Sequence, residues 1–313
     1  MKYSLFLPTG FGQDLVGIPD PAEAFETIVA IAKAADDSGY HSLWAPDHFH
    51  TVPASQANFF EVWSTLTALA RETTNVRLGP MVTGNDYRNP ALQAKMASTV
   101  DVLSNGRLTF GIGGGWYEAD YVGYGYEYPT TGERLRRLRE ACQVVLALWT
   151  EEEATFEGKH YQVNSAINQP KGVQTPHIPL LVAGSGEKVT LRIVAEFADQ
   201  CNVIEAPEGI ARKLDILRKH CEDVGRDYDS IWKTTTTHCI IRDTDAEARA
   251  AIPVWAPDNY PGDLAEYGLI GTLDTIRERI AAYEAVGVQE LAISFEDPTR
   301  LDVIRELATA FTS

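Results

Sequence analysis

Short apolar runs alternate with longer amphipathic segments along the whole chain. The short runs predict β-strands, because several are near-continuous apolar stretches of the kind that parallel strands show when helices cover them. The predicted strands are Tyr3–Pro8, Ser42–Asp47, Val76–Thr83, Arg107–Gly113, Ile178–Gly184, Cys201–Glu205, Trp232–Ile241 and Glu290–Phe295. These are eight strands, the number that closes a (β/α)8 barrel.

The longer segments predict helices that begin at recognisable residues. Asp20-Pro21, Asn89-Pro90 and Thr272 each provide a capping side chain, and proline suits the first helical turn. Spacings of three and four residues predict the stripes that face inward. These stripes are Phe25, Ile28, Val29 and Ala32; Leu92, Met96, Val100 and Leu103; Leu135, Leu138, Cys142, Val145 and Trp149; and Ile276, Ile280 and Tyr283.

The alternation of strands and helices is interrupted between Gly115 and Ile178. A Tyr/Gly-rich loop, one helix and the polar stretch Thr155–Val163 lie there, and the polar stretch predicts a small hairpin. No second core-forming pattern accompanies them. We therefore predict a single domain over residues 1–313, with an insertion at about 116–177 that covers the barrel mouth. A smaller irregular segment, Pro253–Leu269, precedes the last strand–helix unit.

An open, doubly wound sheet is the competing α/β architecture. It needs a glycine-rich dinucleotide fingerprint, for which the best candidate is Gly111–Gly115. Trp116 stands where the third glycine of the fingerprint belongs, and no amphipathic helix follows at once. The predicted fold class is therefore α/β, as a (β/α)8 TIM barrel.

Charge and composition narrow the possible partners. The chain has 44 Asp and Glu residues against 27 Lys and Arg, so its formal net charge of −17 disfavours nucleic acid and anionic membrane surfaces. No apolar run approaches the roughly 18 residues that a membrane span needs, and the first residues lack a signal-peptide core. The cysteines form no C-x-x-C pair, which predicts buried, reduced thiols. We expect a cytoplasmic protein with a small-molecule substrate.

The second predicted strand ends in Asp47-His48-Phe49-His50, and active sites of barrels lie at the carboxyl ends of their strands. The His-x-His spacing is compatible with a metal site, but His238 and Asp297 alone do not complete a ligand set. No metal is therefore predicted. A histidine beside a carboxylate can instead handle a proton or contact a redox ring. A histidine that is merely satisfied at a helix start is the remaining alternative.

Glycines occupy the ends of the fourth and fifth predicted strands. Gly113, Gly114 and Gly115 remove side chains where the fourth strand reaches the mouth, so that a flat ligand can approach the backbone. Gly184-Ser185-Gly186 comes immediately before a predicted helix, whose N-terminal N–H groups and dipole favour a phosphate. Tight turns and an ordinary barrel rim explain either motif singly. Together the two motifs predict a site for a phosphorylated planar ligand.

These segments resemble the bacterial luciferase-like superfamily of flavin- and deazaflavin-dependent oxidoreductases. The matching segments follow in order along nearly the whole chain: Trp44–Phe49, Arg77–Thr83, Tyr87–Leu92, Asp101–Leu108, Gly111–Trp116, Ala183–Gly186 and Gly271–Gly287. The resemblance implies a barrel with an insertion and with its cofactor across the mouth.

The resemblance also implies roles for particular residues. A non-proline cis peptide at Met81-Val82 would lie behind the cofactor ring, and Gly184-Ser185-Gly186 would hold the cofactor phosphate. Asp47, Thr83 and the glycines at 113–115 would border the same cofactor. A homodimer would form through the helices after strands two and three, roughly Phe59–Ala70 and Ala91–Leu103.

The cofactor that this resemblance implies is coenzyme F420, a deazaflavin, because Asp47-His48-Phe49 is frequent among relatives that use it. FMN-dependent relatives share most of the scaffold, so FMN is the alternative. The deazaflavin sugar-phosphate dehydrogenases have an acidic residue after the glycines and a tryptophan soon after the histidine. This chain has Trp116 and Val52 there, which argues against a sugar-phosphate substrate and leaves the general acid unassigned.

The function implied is hydride transfer between coenzyme F420 and a small organic substrate. His48 would handle a proton or contact the ring, and Asp47 would bond the ring edge and fix the histidine. An FMN-dependent monooxygenase, a non-catalytic flavin-binding relative and a metal hydrolase are the alternatives. The tyrosines of the inserted loop would line an apolar pocket or simply pack on the barrel; they are Tyr117, Tyr121, Tyr124, Tyr126 and Tyr128.

Overall fold

The helices begin at the capping residues that the sequence predicts. In the computed structural model, which describes residues 1–297 and 299–312, the side chains of Asp20, Asn89 and Thr272 each accept a hydrogen bond from a first-turn backbone N–H. Such a bond satisfies one of the N–H groups that a helix leaves without a partner. The three predicted helix starts are confirmed.

The helices are α1 (Pro21–Asp37), α2 (Val62–Glu72), α3 (Pro90–Ser104), α4 (Glu118–Gly123), α5 (Thr131–Thr150), α6 (Thr190–Phe197), α7 (Pro207–Val224), α8 (Asp245–Ala250), α9 (Ala256–Asn259), α10 (Leu264–Tyr267), α11 (Leu273–Ala285) and α12 (Leu301–Thr312). The strands are β1 (Lys2–Phe6), β2 (Ser42–Ala45), β3 (Arg77–Pro80), β4 (Thr83–Gly84), β5 (Phe110–Gly113), β6 (Ala154–Glu157), β7 (Gln162–Ala166), β8 (Leu180–Ala183), β9 (Gln200–Asn202), β10 (Trp232–Ile241), β11 (Leu269–Gly271) and β12 (Glu290–Phe295).

The strands form a parallel barrel in which one strand is split. The hydrogen-bonded order is β3, β2, β1, β12, β10, β9, β8, β5 and β4. Because β3 and β4 are successive halves of one strand, with β3 paired to β2 and β4 paired to β5, that strand joins the two ends of the sheet. A bridge between Leu78 and Leu108 adds to the closure. The predicted α/β barrel is confirmed, and each predicted strand has a counterpart in it.

One further strand was not predicted. β11 lies at the end of the segment that the sequence marked as irregular, and it pairs with the last residues of β10. A three-residue strand is too short for an alternating pattern to reveal it.

The buried face of α3 differs from the predicted stripe. Leu92 is 53% exposed, whereas Gln93, Ala94 and Ala97 are buried. Small residues let this helix approach the barrel closely, and the larger apolar residue is turned outward. The prediction that Leu92 faces the core is therefore wrong, because helical spacing alone does not distinguish two apolar faces of one helix.

The segment between β5 and β8 contains both barrel and inserted elements. The predicted hairpin is confirmed as the antiparallel pair of β6 and β7. α5 contacts α3 and α6 and so belongs to the outer ring of helices. α4, which follows the glycine-rich end of β5, belongs to the inserted loop.

The cysteines at 142, 201, 221 and 239 are buried free thiols, as predicted. Within the described ranges, the helices lack the combination of length and apolarity that crossing a bilayer requires.

Candidate active site

The carboxyl ends of the barrel strands enclose a cavity of about 680 Å³. This volume is ordinary for a site that binds a small molecule or cofactor. Of the residues predicted for the site, all but Gly186 line the cavity: Asp47, His48, Met81, Val82, Thr83, Gly113, Gly114, Gly115, Gly184 and Ser185. Met81 also belongs to a small buried cluster with Trp44, Leu181 and Ala292, which come from different barrel strands.

A carboxylate from the inserted loop fixes His48. The imidazole Nδ1 lies 2.6 Å from Oδ2 of Asp120, whose side chain is completely buried. The other oxygen, Oδ1, accepts hydrogen bonds from the backbone N and from Nδ1 of His50, at 3.0 and 2.8 Å. The hydroxyl of Tyr87 donates to Oδ2 at 3.0 Å. One residue of α4 thus holds both histidines of the segment at the end of β2.

The charge of Asp120 determines the tautomer of His48. Burial acts to raise the pKa of this carboxyl, but the hydrogen bonds from His48, His50 and Tyr87 outweigh it and keep the pKa below its ordinary value. An ionised carboxylate only accepts hydrogen bonds, so Nδ1 of His48 carries a proton. Since His48 also lines the cavity, Nε2 is the ring nitrogen that remains to meet a ligand.

Aromatic rings surround His48. The ring centroids of Phe11, Trp116 and Tyr117 lie 4.9, 5.7 and 5.7 Å from that of the imidazole. Within the part of the chain that the structure describes, none of the five tyrosines of the inserted loop is among the residues that line the cavity. Apart from Tyr117, they contact Phe49, Tyr87, one another or Arg134. Tyr121, Tyr124, Tyr126 and Tyr128 therefore pack against neighbouring side chains and do not form a substrate pocket.

Asp47 has a different set of partners from the one predicted. Its carboxylate accepts a hydrogen bond from Thr83 Oγ1 at 2.6 Å and two from the guanidinium of Arg88, at 2.6 and 3.1 Å. Arg88 also pairs with Glu61 at 2.7 Å. The prediction that Asp47 fixes His48 is wrong, because Arg88 and Thr83 occupy Asp47 while Asp120 does that work. A contact of Asp47 with a cofactor ring stays a prediction.

The peptide bond between Met81 and Val82 is cis, as the resemblance implied. Val82 lies against the neighbouring strand, so that a Cβ at Gly113 would come within 2.7 Å of Val82 Cγ2. A Cβ at Gly111 would come within 2.1 Å of the Pro80 carbonyl oxygen. These glycines therefore make room for the split strand.

Gly115 makes room for the inserted loop. It has a φ of +71°, and a Cβ there would lie 2.0 Å from the hydroxyl of Tyr121. At Gly114 a Cβ would lie 3.3 Å from Leu135 Cδ2. Our interpretation of these glycines as space for a flat ligand was therefore incomplete. Their backbone lines the cavity, but neighbouring side chains fill the space where their own side chains would be.

The turn after β8 is tight but does not lead directly into a helix. Gly184 has a φ of +130°, and its N–H donates to the Asn202 carbonyl at 3.0 Å. α6 begins only at Thr190, against which Gly186 packs. The expected helix N-terminus at Gly186 is thus displaced by a turn, and any phosphate site here depends on the backbone of the turn itself.

The opposite wall of the cavity carries a second polar group of residues. His238 Nδ1 lies 2.8 Å from Ser294 Oγ, which lies 3.1 Å from the hydroxyl of Tyr260. Burial lowers the pKa of His238 to about 4, so this imidazole is neutral. Its Nε2 is buried and has no hydrogen-bond partner.

Metal binding finds no support in the arrangement of these groups. Across residues 1–297 and 299–312, no three His, Cys, Asp or Glu side chains are placed so that they could hold a metal ion together. The Nδ1 atoms of His48 and His50 are both occupied by Asp120.

Comparison with known proteins identifies the family. Residues 1–268 match the family described as luciferase-like monooxygenase. The chain belongs to the luciferase-like family. An F420-dependent glucose-6-phosphate dehydrogenase of Kineococcus radiotolerans is 31% identical over 255 residues, which cover 79% of this chain and 74% of the relative. An FMNH2-dependent dimethylsulfone monooxygenase of Pseudomonas putida is 25% identical over 304 residues, which cover 85% of this chain and 81% of the relative.

The fold of this luciferase-like protein also agrees with a solved structure. An F420-dependent secondary alcohol dehydrogenase, in complex with an F420-acetone adduct, matches with a TM-score of 0.85 at 18% identity, over 99% of this chain and 98% of the other. The resemblance to the luciferase-like superfamily is confirmed, and proteins of its F420-dependent branch are among the relatives.

Sequence reasoning missed the partner of His48 in this luciferase-like barrel. Asp120 lies 72 positions away, inside a loop without a recognisable pattern. The available signal was an acidic residue among many aromatic ones, which does not show that its side chain turns inward. Asp14, in the loop after β1, also lines the cavity and was missed for the same reason.

Proposed function

We propose that this protein is an oxidoreductase that transfers a hydride between coenzyme F420 and a small organic substrate. The observation that carries the proposal is the imidazole of His48, which Asp120 holds in the same cavity that Met81 and Val82, joined by a cis peptide bond, also line. The relative from Kineococcus radiotolerans, which is 31% identical to this chain over 255 residues, is F420-dependent.

The residues present fit a ring with a phosphate-bearing tail. The cavity has the volume of a cofactor site, and Met81–Thr83 and Gly113–Gly115 line it together. The turn at Gly184–Gly186 borders the same cavity through Gly184 and Ser185. We propose that the first two segments hold the ring and that the turn holds the phosphate. When bound, a reduced deazaflavin supplies a hydride.

The protein's own contribution is to orient groups and exclude water. Asp120 keeps a proton on Nδ1 of His48, so Nε2 is the ring nitrogen left to exchange a proton or a hydrogen bond with a ligand. The rings of Phe11 and Trp116 pack against this imidazole. The Asp47–Arg88 pair holds the end of β2 against the split strand through Thr83.

An FMN-dependent monooxygenase is the second candidate. The specific observation in its favour is the Pseudomonas putida relative, which aligns with 85% of this chain and uses FMNH2. A cavity walled by aromatic side chains would also keep water out of a reaction with oxygen.

Titration of the purified apo-protein with coenzyme F420 and, separately, with FMN distinguishes the two. Quenching of tryptophan fluorescence gives both dissociation constants. We expect F420 to bind at least about tenfold more tightly, a difference of about 1.4 kcal/mol. The reduced cofactors are then mixed with acetone, cyclohexanone or 2-cyclohexenone, and with oxygen. Tighter binding of FMN together with oxygen consumption would overturn the proposal.

A homodimer and a cytoplasmic location remain predictions. The exposed apolar residues Leu92 (53%) and Val102 (40%) on α3 support the dimer, because they lie in the segment Ala91–Leu103 that was expected to form the interface.

A further inference from the structure

Asp14 lies in the loop between β1 and α1 and lines the cavity. The loop is anchored on both sides: the Phe11 carbonyl accepts a hydrogen bond from Val52 N at 2.7 Å, and the neighbouring Leu15 is buried. The ring of Phe11 lies 4.9 Å from that of His48. The same short loop therefore borders His48 and places Asp14 among the residues that line the cavity.

This carboxyl has no charged partner. Asp14 forms no ion pair in the described part of the chain, and its Oδ1 is buried without a hydrogen-bond partner. The other acidic residues of the cavity are satisfied differently. Asp47 pairs with Arg88 and Glu296 with Arg242, while Asp297 accepts hydrogen bonds from Thr299.

An unpaired carboxylate in this position is unfavourable, so the carboxyl tends to keep its proton. Burial raises the pKa of Asp14 to about 7, and backbone hydrogen bonds involving Gly10 and Asp14 itself oppose this only in part. No charged side chain contributes to the shift. The other titratable groups that line the same cavity are Asp47, His48, Tyr87, His238, Tyr260, Glu296 and Asp297.

We propose that Asp14 is the general acid of this site, which donates its proton to the substrate atom that gains negative charge as a hydride is added. The inference rests on the proposed function. It assigns the acid that the sequence left unassigned, and it indicates substrates that present an oxygen or nitrogen acceptor, such as a carbonyl compound.

The step balances as follows. A C–H bond of the reduced deazaflavin would break, and its hydrogen and electron pair would form the new C–H bond on the substrate carbon, which leaves the deazaflavin oxidised. The carbonyl π bond breaks, the Asp14 O–H bond breaks, and a new O–H bond forms on the substrate. Asp14 is left as a carboxylate and regains a proton from water after the product leaves. In the reverse direction the same carboxylate accepts the proton.

His48 and Asp14 thus differ in their partners. Asp120 holds Nδ1 of His48, whereas Asp14 is buried without a charged partner in the described part of the chain, which favours its neutral form. Acid–base chemistry near neutral pH uses titratable groups whose surroundings differ in this way within one cavity.

The test uses Asp14→Asn, which keeps the shape of the side chain but has no acidic proton. Asp215→Asn is the matched control, because Asp215 is an exposed aspartate on α7. Infrared difference spectra of the apo-proteins are recorded as the pH is raised from about 5 to about 9, across the ionisation of Asp14. We expect wild type and Asp215→Asn to show a protonated-carboxyl band that disappears with a midpoint near pH 7. Asp14→Asn should lack it.

Turnover with reduced F420 and the three ketone probes is the second measurement. In the wild type, kcat/KM for reduction should fall as the pH rises through about 7. In Asp14→Asn it should be lower by roughly 10²-fold or more and should not show this fall. Binding of F420, measured by fluorescence, should change less than about threefold.

Each result decides the proposal. A band that is absent from the wild type, or that persists in Asp14→Asn, overturns it, as does an Asp14→Asn variant that keeps both its rate and its pH dependence. If the wild type binds no F420 and reduces no probe, the proposed function fails. The infrared titration then decides for or against a neutral acid at Asp14 without any cofactor.

Discussion

The carboxylate of Asp120 holds Nδ1 of His48 at 2.6 Å across 72 positions of sequence. The histidine lies three residues beyond the end of β2, whereas the aspartate lies on a short helix of the inserted loop. The inserted loop is therefore part of the site, because without it the imidazole would have neither a fixed tautomer nor a fixed orientation.

Replacing Asp120 by asparagine should remove this control. The amide cannot stabilise a proton on Nδ1 as a carboxylate does, so His48 would populate the wrong tautomer. We expect kcat to fall by roughly 10²- to 10⁴-fold, by comparison with the loss of the orienting aspartate in serine proteases. Tyr87→Phe, which removes one neutral donor to the same oxygen, should lower kcat less than about tenfold. Equal rates for Asp120→Asn and wild type, measured with reduced F420 and ketone probes, would contradict this role.

Removing the imidazole itself should affect turnover far more than cofactor binding. His48→Ala is expected to lose at least about 10²-fold in kcat, while the dissociation constant for F420 changes less than about threefold. His50→Ala is the comparison, since His50 bonds the same carboxylate but is not among the residues that line the cavity. Unchanged turnover in His48→Ala would exclude the imidazole from the mechanism.

Asp47 should stabilise the fold through its ion pair with Arg88, although it does not hold His48 as predicted. Arg88→Met leaves the buried carboxylate of Asp47 without its guanidinium partner, which should cost about 3–5 kcal/mol in the free energy of unfolding. The double variant Asp47→Asn/Arg88→Met should recover part of this loss, because it no longer buries an unpaired charge. Urea denaturation measures both. If the single variant loses less than about 1 kcal/mol, the pair is not important for stability.

Gly115 should be intolerant of a side chain because of Tyr121. In Gly115→Ala the new methyl group would lie 2.0 Å from the Tyr121 hydroxyl, at a φ of +71°. We expect a loss of about 2–4 kcal/mol, part from the overlap and part from the left-handed backbone. Tyr121→Phe removes the overlapping oxygen, so the double variant should be more stable than Gly115→Ala alone. Thermal denaturation measures the stability of all three variants. If the effects of Gly115→Ala and Tyr121→Phe simply add in the double variant, the contact with the Tyr121 hydroxyl does not limit position 115.

The sequence predicted the scaffold of this site better than its hydrogen bonds. Strand ends follow from apolar runs and helix starts from local caps, so Asp47, His48 and Gly184 were correctly placed around one cavity. Which carboxylate meets His48 depends on how an inserted loop folds back, and no local pattern contains that information. Asp47, adjacent in sequence, was the natural choice, but its side chain reaches Arg88 instead.

The ionisation of Asp14 should make the protein less stable at higher pH. The carboxyl pKa is about 7 in the folded protein, against an ordinary value of 3.8. Between these values the folded state keeps a proton that the unfolded chain releases, so raising the pH favours unfolding until the pH passes about 7.

Asp14→Asn has no such penalty. Its free energy of unfolding, relative to that of the wild type, should therefore rise by about 1–3 kcal/mol between roughly pH 4.5 and pH 8. This range lies below the full linkage value, because the side chain is partly open to the cavity. Urea denaturation at the two pH values measures the difference, with Asp215→Asn as the exposed control. A constant difference between Asp14→Asn and wild type at both pH values would mean that Asp14 ionises normally in the folded protein, and it would then be a poor candidate for the general acid.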